Sequence, residues 1–155
     1  MRNQSVKWLA TGFGLGLAPK APGTFGTLLG IPLALGLYLL GPTAYVVGTF
    51  AFVLFSIFIA ELYERDSGSH DSKEVVIDEV AGFLISMALL PMNILWITLS
   101  FVLFRILDAT KPPPIRQLDQ KVTGGFGVVI DDVVAGIITN LILQVVFQTE
   151  ILSML

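Results

Sequence analysis

Apolar and charged positions follow one another along this chain in long blocks rather than residue by residue. Residues 21–60, 80–104 and 133–149 contain no Asp, Glu, Lys or Arg. The nine basic and twelve acidic side chains fall almost wholly in three segments: the N-terminus through Lys20, Glu61–Glu79, and Arg105–Asp132, with Glu150 the one exception. A helix that spans lipid needs about 20 mainly apolar residues. The first uncharged block is therefore long enough for two spans, with Gly41-Pro42 as the turn between them, because proline cannot continue a helix interior and glycine favours a cap. This predicts helices at about 24–40 and 43–63. The last block, extended back to about Val128, makes one span.

The middle block has two readings. Its residues 80–104 could form a single span, but Pro91-Met92-Asn93 near the centre is a plausible turn. Extended into the flanking charges, Glu74–Leu90 and Asn93–Ala109 would each give about 25 Å of helix at 1.5 Å per residue, which suits two short spans. A hairpin puts all three charged segments on one membrane face. A single span separates Arg105–Asp132 from Glu61–Glu79. Every Lys and Arg lies in the three charged segments, and basic residues belong on the cytoplasmic side, so the hairpin is favoured. The expectation is one all-α domain over residues 1–155: a compact polytopic membrane helix bundle of about five spans or part-spans, charged loops on the cytoplasmic face, N-terminus inside and C-terminus outside.

Composition agrees. Hydrophobic residues make up 54% and charged residues 14%, against about 25% charged in a typical soluble domain. The N-terminal stretch MRNQSVKWLATGFGLG has a basic start but no clean apolar region with a cleavage site, so it does not read as a signal peptide. There are no cysteines, which excludes a thiolate nucleophile, disulfides and thiolate-bound metal.

The candidate chemistry lies in two similar stretches, VVIDEVAG (75–82) and VVIDDVVAG (128–136). Each sets two adjacent acids at the mouth of an apolar run. Acids at a helix start are favoured by the helix dipole, but one per helix would suffice. Neighbours on a helix point about 100° apart, so the second acid of each pair needs another partner. Gly82 follows Glu79 by three residues and Gly136 follows Asp132 by four, spacings that share a helix face and permit close helix approach. If the two helices meet there, Asp78, Glu79, Asp131 and Asp132 converge. Such hard oxygen ligands suit Mg²⁺, and this metal-site reading is favoured over capping.

Between the acid pairs, FRILDATKPPPIRQLDQKVTGG (104–125) carries Arg105, Lys111 and Arg116 with Asp108 interleaved. Arginine forks match phosphate oxygens and lysine acts as a point charge, while ordinary positive-inside charge or anionic-lipid contact is the plainer reading. Carboxylates for a metal beside basic groups for an anion is the layout of metal-assisted phosphoryl chemistry. A Gly- and Pro-rich stretch with Lys20 and Thr24 precedes the first span and could hold a phosphate at a helix start, though it is not a P-loop. A lone loop histidine such as His70 is more often solvated than catalytic, but Asp71 beside it precedes the first acid pair by seven residues, so both could approach the metal. No paired aspartate motif for an aspartyl-phosphate route is present.

The blocks APGTFGTLLGIP (21–32), HDSKEVVIDEVAGFLISMALLP (70–91) and FRILDATKPPPIRQLDQKVTGGFGVVIDDVVAGII (104–138) closely resemble the phosphatidylglycerophosphatase A family. The resemblance implies a Mg²⁺-dependent enzyme of the bacterial inner membrane. Such an enzyme hydrolyses phosphatidylglycerophosphate to phosphatidylglycerol and phosphate, the last step of phosphatidylglycerol synthesis, on the cytoplasmic side. It implies that Asp78, Glu79, Asp131 and Asp132 are the metal and catalytic set, with Asp71 an outer catalytic candidate. By the same resemblance Arg105, Asp108, Lys111, Arg116, Lys20, Thr24 and His70 contact the headgroup. The partners expected are the phospholipid substrate and the lipid bilayer, with no nucleic acid. The rival from another class is a small membrane transporter or ion-binding protein that uses intramembrane acids.

Overall fold

The computed structural model describes residues 3–68 and 72–153, with side chains through Thr149. His70 and Asp71 lie outside the described residues. Seven α-helices and no strand occur among those described: α1 (Gln4–Ala10), α2 (Pro22–Leu39), α3 (Pro42–Ser67), α4 (Ile77–Ser86), α5 (Ile94–Thr110), α6 (Ile115–Lys121) and α7 (Gly124–Ser153). The all-α membrane bundle expected from the sequence is the fold. Three helices are long and apolar enough to cross a membrane: α2, α3 and the Gly124–Thr149 part of α7.

Turn chemistry sets the boundaries. Pro22 and Pro42 each stand at a helix start, where a missing N–H costs nothing. Gly41 joins α2 to α3 with φ +97°, a backbone region that only glycine enters freely. The Asn93 side chain accepts the Trp96 N–H and caps α5. One face of α3 carries the exposed Val47, Phe50, Leu54 and Phe58, an apolar stripe suited to lipid contact.

The middle block forms the hairpin. Arg105 near the end of α5 reaches to 3.8 Å from Glu79 at the start of α4, so the two helices run antiparallel. The connecting segment lies beside Tyr38, Pro42 and Phe147, at the end of the bundle where α2 turns into α3. All three charged segments thus meet at the opposite end. However, α4 covers 77–86 rather than 74–90, about 15 Å of helix, too short to cross. The reason is that its last carbonyls find partners on other helices. Tyr45 Oη donates to Leu84 O at 2.8 Å. Asn140 Nδ2 donates to Ser86 O at 3.0 Å and to Ala88 O at 2.8 Å, and Gln144 Nε2 donates to Ala88 O at 3.1 Å. Backbone that leaves a helix at membrane depth must be satisfied by protein, and α7 supplies most of what is needed.

Replacing Asn140 with Leu should therefore cost about 1–3 kcal/mol, the penalty for buried acceptors left without a donor. Thermal unfolding of the detergent-solubilised protein checks this. A variant with an unchanged midpoint would mean that the Ser86 and Ala88 carbonyls do not depend on Asn140.

Three elements differ from the sequence expectation. The N-terminal stretch contains α1 and a short 3₁₀ turn at Leu15–Leu17, reached through Gly12, Phe13 and Gly14, all with positive φ. The proline-stiffened loop after α5 contains α6. Helix α7 starts at Gly124, four residues before Val128, because Glu61 on α3 accepts the Gly125 N–H at 2.7 Å and caps it.

Candidate active site

Helices α4 and α7 cross with almost no side chain between them. A Cβ on Gly136 would collide with Gly82 O, and a Cβ on Gly82 would sit 2.8 Å from Asp132 O and 2.5 Å from the Phe104 ring. The small residues placed below each acid pair thus let the backbones touch, and the acids above them converge. Asp78 and Glu79 occupy the first turn of α4. Asp131 and Asp132 stand about two turns into α7, which has no acid in its first turn. Since the dipole's benefit falls off within the first turn, capping does not account for the second pair.

Two overlapping groups result. Asp78, Glu79 and Asp132 can bring one carboxylate oxygen each within 4.8 Å of one another, and so can Asp108, Asp131 and Asp132. Either group could hold a metal ion. Asp131 and Asp132 are only 4% and 3% exposed. Two buried carboxylate oxygens, Glu79 Oε2 and Asp131 Oδ1, have no hydrogen-bond donor, which is uncommon in a protein interior.

Arg105 and Lys111 face these acids. Arg105 Nη1 lies 2.5 Å from Asp108 Oδ2 and 3.8 Å from Glu79 Oε1. Lys111 ends α5 in the left-handed region with φ +44°. Its Nζ bridges Asp119 Oδ1 at 2.5 Å and Asp131 Oδ2 at 2.6 Å. Burial pulls the Lys111 ammonium down in pKa, but the two carboxylates more than offset this and hold it above the usual lysine range. Helix α4 is too short to span, and its acids are shifted too. Burial, then the neighbouring Glu79 charge, pushes Asp78 well up. Burial also pushes Glu79 up to about 8, the nearby charges of Asp132 and Asp108 adding to it against the Asp78 hydrogen bond and Arg105. In both, burial is the larger cause and the like charges of the cluster add to it.

The cleft over this cluster has a volume of about 510 Å³, within the usual range of a small-molecule site. It draws lining from the second and third charged segments, with Lys73 before α4 and Arg105, Asp108 and Lys111 at the end of α5, and from Gly23 at the start of α2. Of the residues singled out in the sequence, Asp78, Glu79, Asp131, Asp132, Arg105, Asp108 and Lys111 come together. Arg116 and Lys20 are exposed and Thr24 is half-buried, and none of the three lines the cleft. The Gly- and Pro-rich block contributes through its glycines. A Cβ on Gly23 would collide with Glu79 Oε1 and stand 2.8 Å from Arg105 Nη1. Lys73 and Asp119 were missed as site residues, although Lys73 stands between Asp71 and the first acid pair.

The sequence profile of the family described as Phosphatidylglycerophosphatase A matches residues 8–147. A protein named Phosphatidylglycerophosphatase A from Escherichia coli (strain K12) is 41% identical over 132 residues, 84% of this chain and 77% of that protein. One of the same name from Haemophilus influenzae is 41% identical over 134 residues, 85% of this chain and 82% of that protein. A Bacteroides thetaiotaomicron protein with the provisional name phosphatidylinositol-3-phosphatase is 37% identical over 145 residues, 88% of this chain and 90% of that protein. No solved structure matches the chain.

Proposed function

This chain belongs to the phosphatidylglycerophosphatase A family and is a phosphatase, and from that premise we propose that it hydrolyses the terminal phosphomonoester of phosphatidylglycerophosphate, with Mg²⁺, on the cytoplasmic side of a bacterial inner membrane. The observation that carries the reading is the meeting of five carboxylates with Arg105 and Lys111 in one cleft at the charged end of the bundle. The lipid stays in the bilayer and its headgroup enters the cleft. The cytoplasmic placement rests on the basic residues gathered at that end.

The all-carboxylate donor set and the two donorless oxygens fit hard divalent metal, which Asp78, Glu79 and Asp132 on one side and Asp131 with Asp132 on the other would hold. When bound, Mg²⁺ would polarise the phosphoryl group and neutralise its charge. The protein's own groups do the rest. Arg105 and Lys111 orient the phosphate oxygens and steady the charge that develops. A carboxylate of the cluster takes a proton from the attacking water. The water oxygen bonds to phosphorus as the bond to the glycerol oxygen breaks. The same carboxylate passes its proton to the departing oxygen, giving phosphatidylglycerol and inorganic phosphate. The buried Ser86 and the half-buried Asn140 and Gln144 give the transporter reading no support, since they hold the end of α4 rather than line a path.

Purified protein should release phosphate from phosphatidylglycerophosphate micelles at least ten times faster than from phosphatidylinositol 3-phosphate micelles. Preference for the inositol lipid would overturn the substrate assignment and leave the phosphatase chemistry in place.

A further inference from the structure

We propose that the cleft holds two divalent cations, with Asp132 the ligand common to both and Asp108 a ligand of the second. The inference rests on the metal-dependent reading above and deepens it, because it fixes the number of ions and gives Asp108 a new role.

Two separate observations point the same way. The first is that the carboxylates form two groups rather than one. Asp78, Glu79 and Asp132 make one, and Asp108, Asp131 and Asp132 make the other. Glu79 and Asp131 share no group, and only Asp132, buried where α7 meets α4, belongs to both. The second is that each group contains one buried carboxylate oxygen that no donor reaches: Glu79 Oε2 in the first and Asp131 Oδ1 in the second. Asp131 is 4% exposed, and its other oxygen is already taken by Lys111. An anionic oxygen left bare in the interior is costly. Two such oxygens in two groups call for two cations.

Charge points the same way. The two groups hold five carboxylates, faced by Arg105 and Lys111, and Lys111 is shared with a sixth carboxylate, Asp119. Such a cluster repels a phosphomonoester dianion, and each divalent cation bound within it lessens that repulsion. Sharing of one carboxylate between two ions is a recurrent solution where a phosphoryl group must be clamped from both sides.

Mn²⁺ is the probe, with binding measured by equilibrium dialysis and low-temperature electron paramagnetic resonance on the purified protein in detergent. The wild type should bind two ions per chain and give an exchange-coupled spectrum. Asp108→Asn should bind one, with the coupling lost. One uncoupled ion per chain in the wild type would overturn the inference, a test that needs no variant to fold. So would two coupled ions retained in Asp108→Asn. If one ion binds and phosphatidylglycerophosphate is still hydrolysed with Mg²⁺, the two-ion inference falls and the proposed function stands. If two ions bind and no phosphate is released, the inference stands and the function falls.

Discussion

Asp132→Asn should lower phosphate release by about 10³-fold while the protein stays folded. Asp132 is the carboxylate shared by both acidic groups and is almost fully buried, so its removal reaches every ligand oxygen around it. Loss of one electrostatic group that acts on the developing charge typically costs 10²–10³ in turnover, and a factor of 10³ corresponds to about 4 kcal/mol of barrier. The fold should survive because asparagine keeps the shape and takes one charge out of a cluster of like charges. Without Mg²⁺ the variant should melt no lower than the wild type, since uncompensated buried carboxylates repel. Thermal unfolding beside phosphate release checks both halves. A variant that melts well below the wild type would reduce the activity loss to a folding defect.

Gly82→Ala should be destabilising although alanine is the better helix former. The propensity gain is about 1 kcal/mol. Against it, the new Cβ would sit 2.5 and 2.6 Å from two carbons of the Phe104 ring and 2.8 Å from Asp132 O. Phe104 is fully buried and cannot step aside. Overpacking of this kind costs about 1–3 kcal/mol, so the net effect is a loss. Gly82→Leu should go further and force α4 from α7, which spreads Asp78 and Glu79 from Asp131 and Asp132. The measurement is the unfolding midpoint together with phosphate release, and the leucine variant should lose activity even at temperatures where it is folded. A stable, fully active Gly82→Leu protein would mean that the close helix contact does not hold the carboxylates together.

The block pattern of charge made the bundle legible, because lipid excludes charge more strictly than any propensity directs a helix. A glycine on the same helix face below each acid pair made the α4–α7 contact legible for a similar reason, since only glycine lets two backbones touch. What stayed hidden was settled by distant partners. The early end of α4 depends on Tyr45, Asn140 and Gln144, far away in the chain. The early start of α7 depends on Glu61. Lys20, Thr24 and Arg116 lie off the cleft lining, Lys20 in the loop before α2, Thr24 on α2 and Arg116 on α6, because a motif does not say which way a side chain points. In the same block Gly23 proved informative, because its missing Cβ makes room for Glu79 and Arg105.

The most direct test of the central claim is phosphate release from phosphatidylglycerophosphate in detergent micelles, with the protein first stripped by a chelator and then given Mg²⁺. The account predicts no release after stripping, full recovery with Mg²⁺ in the wild type, and almost none with Mg²⁺ in Asp132→Asn. Release that persists in stripped protein, or that survives undiminished in folded Asp132→Asn, would contradict it.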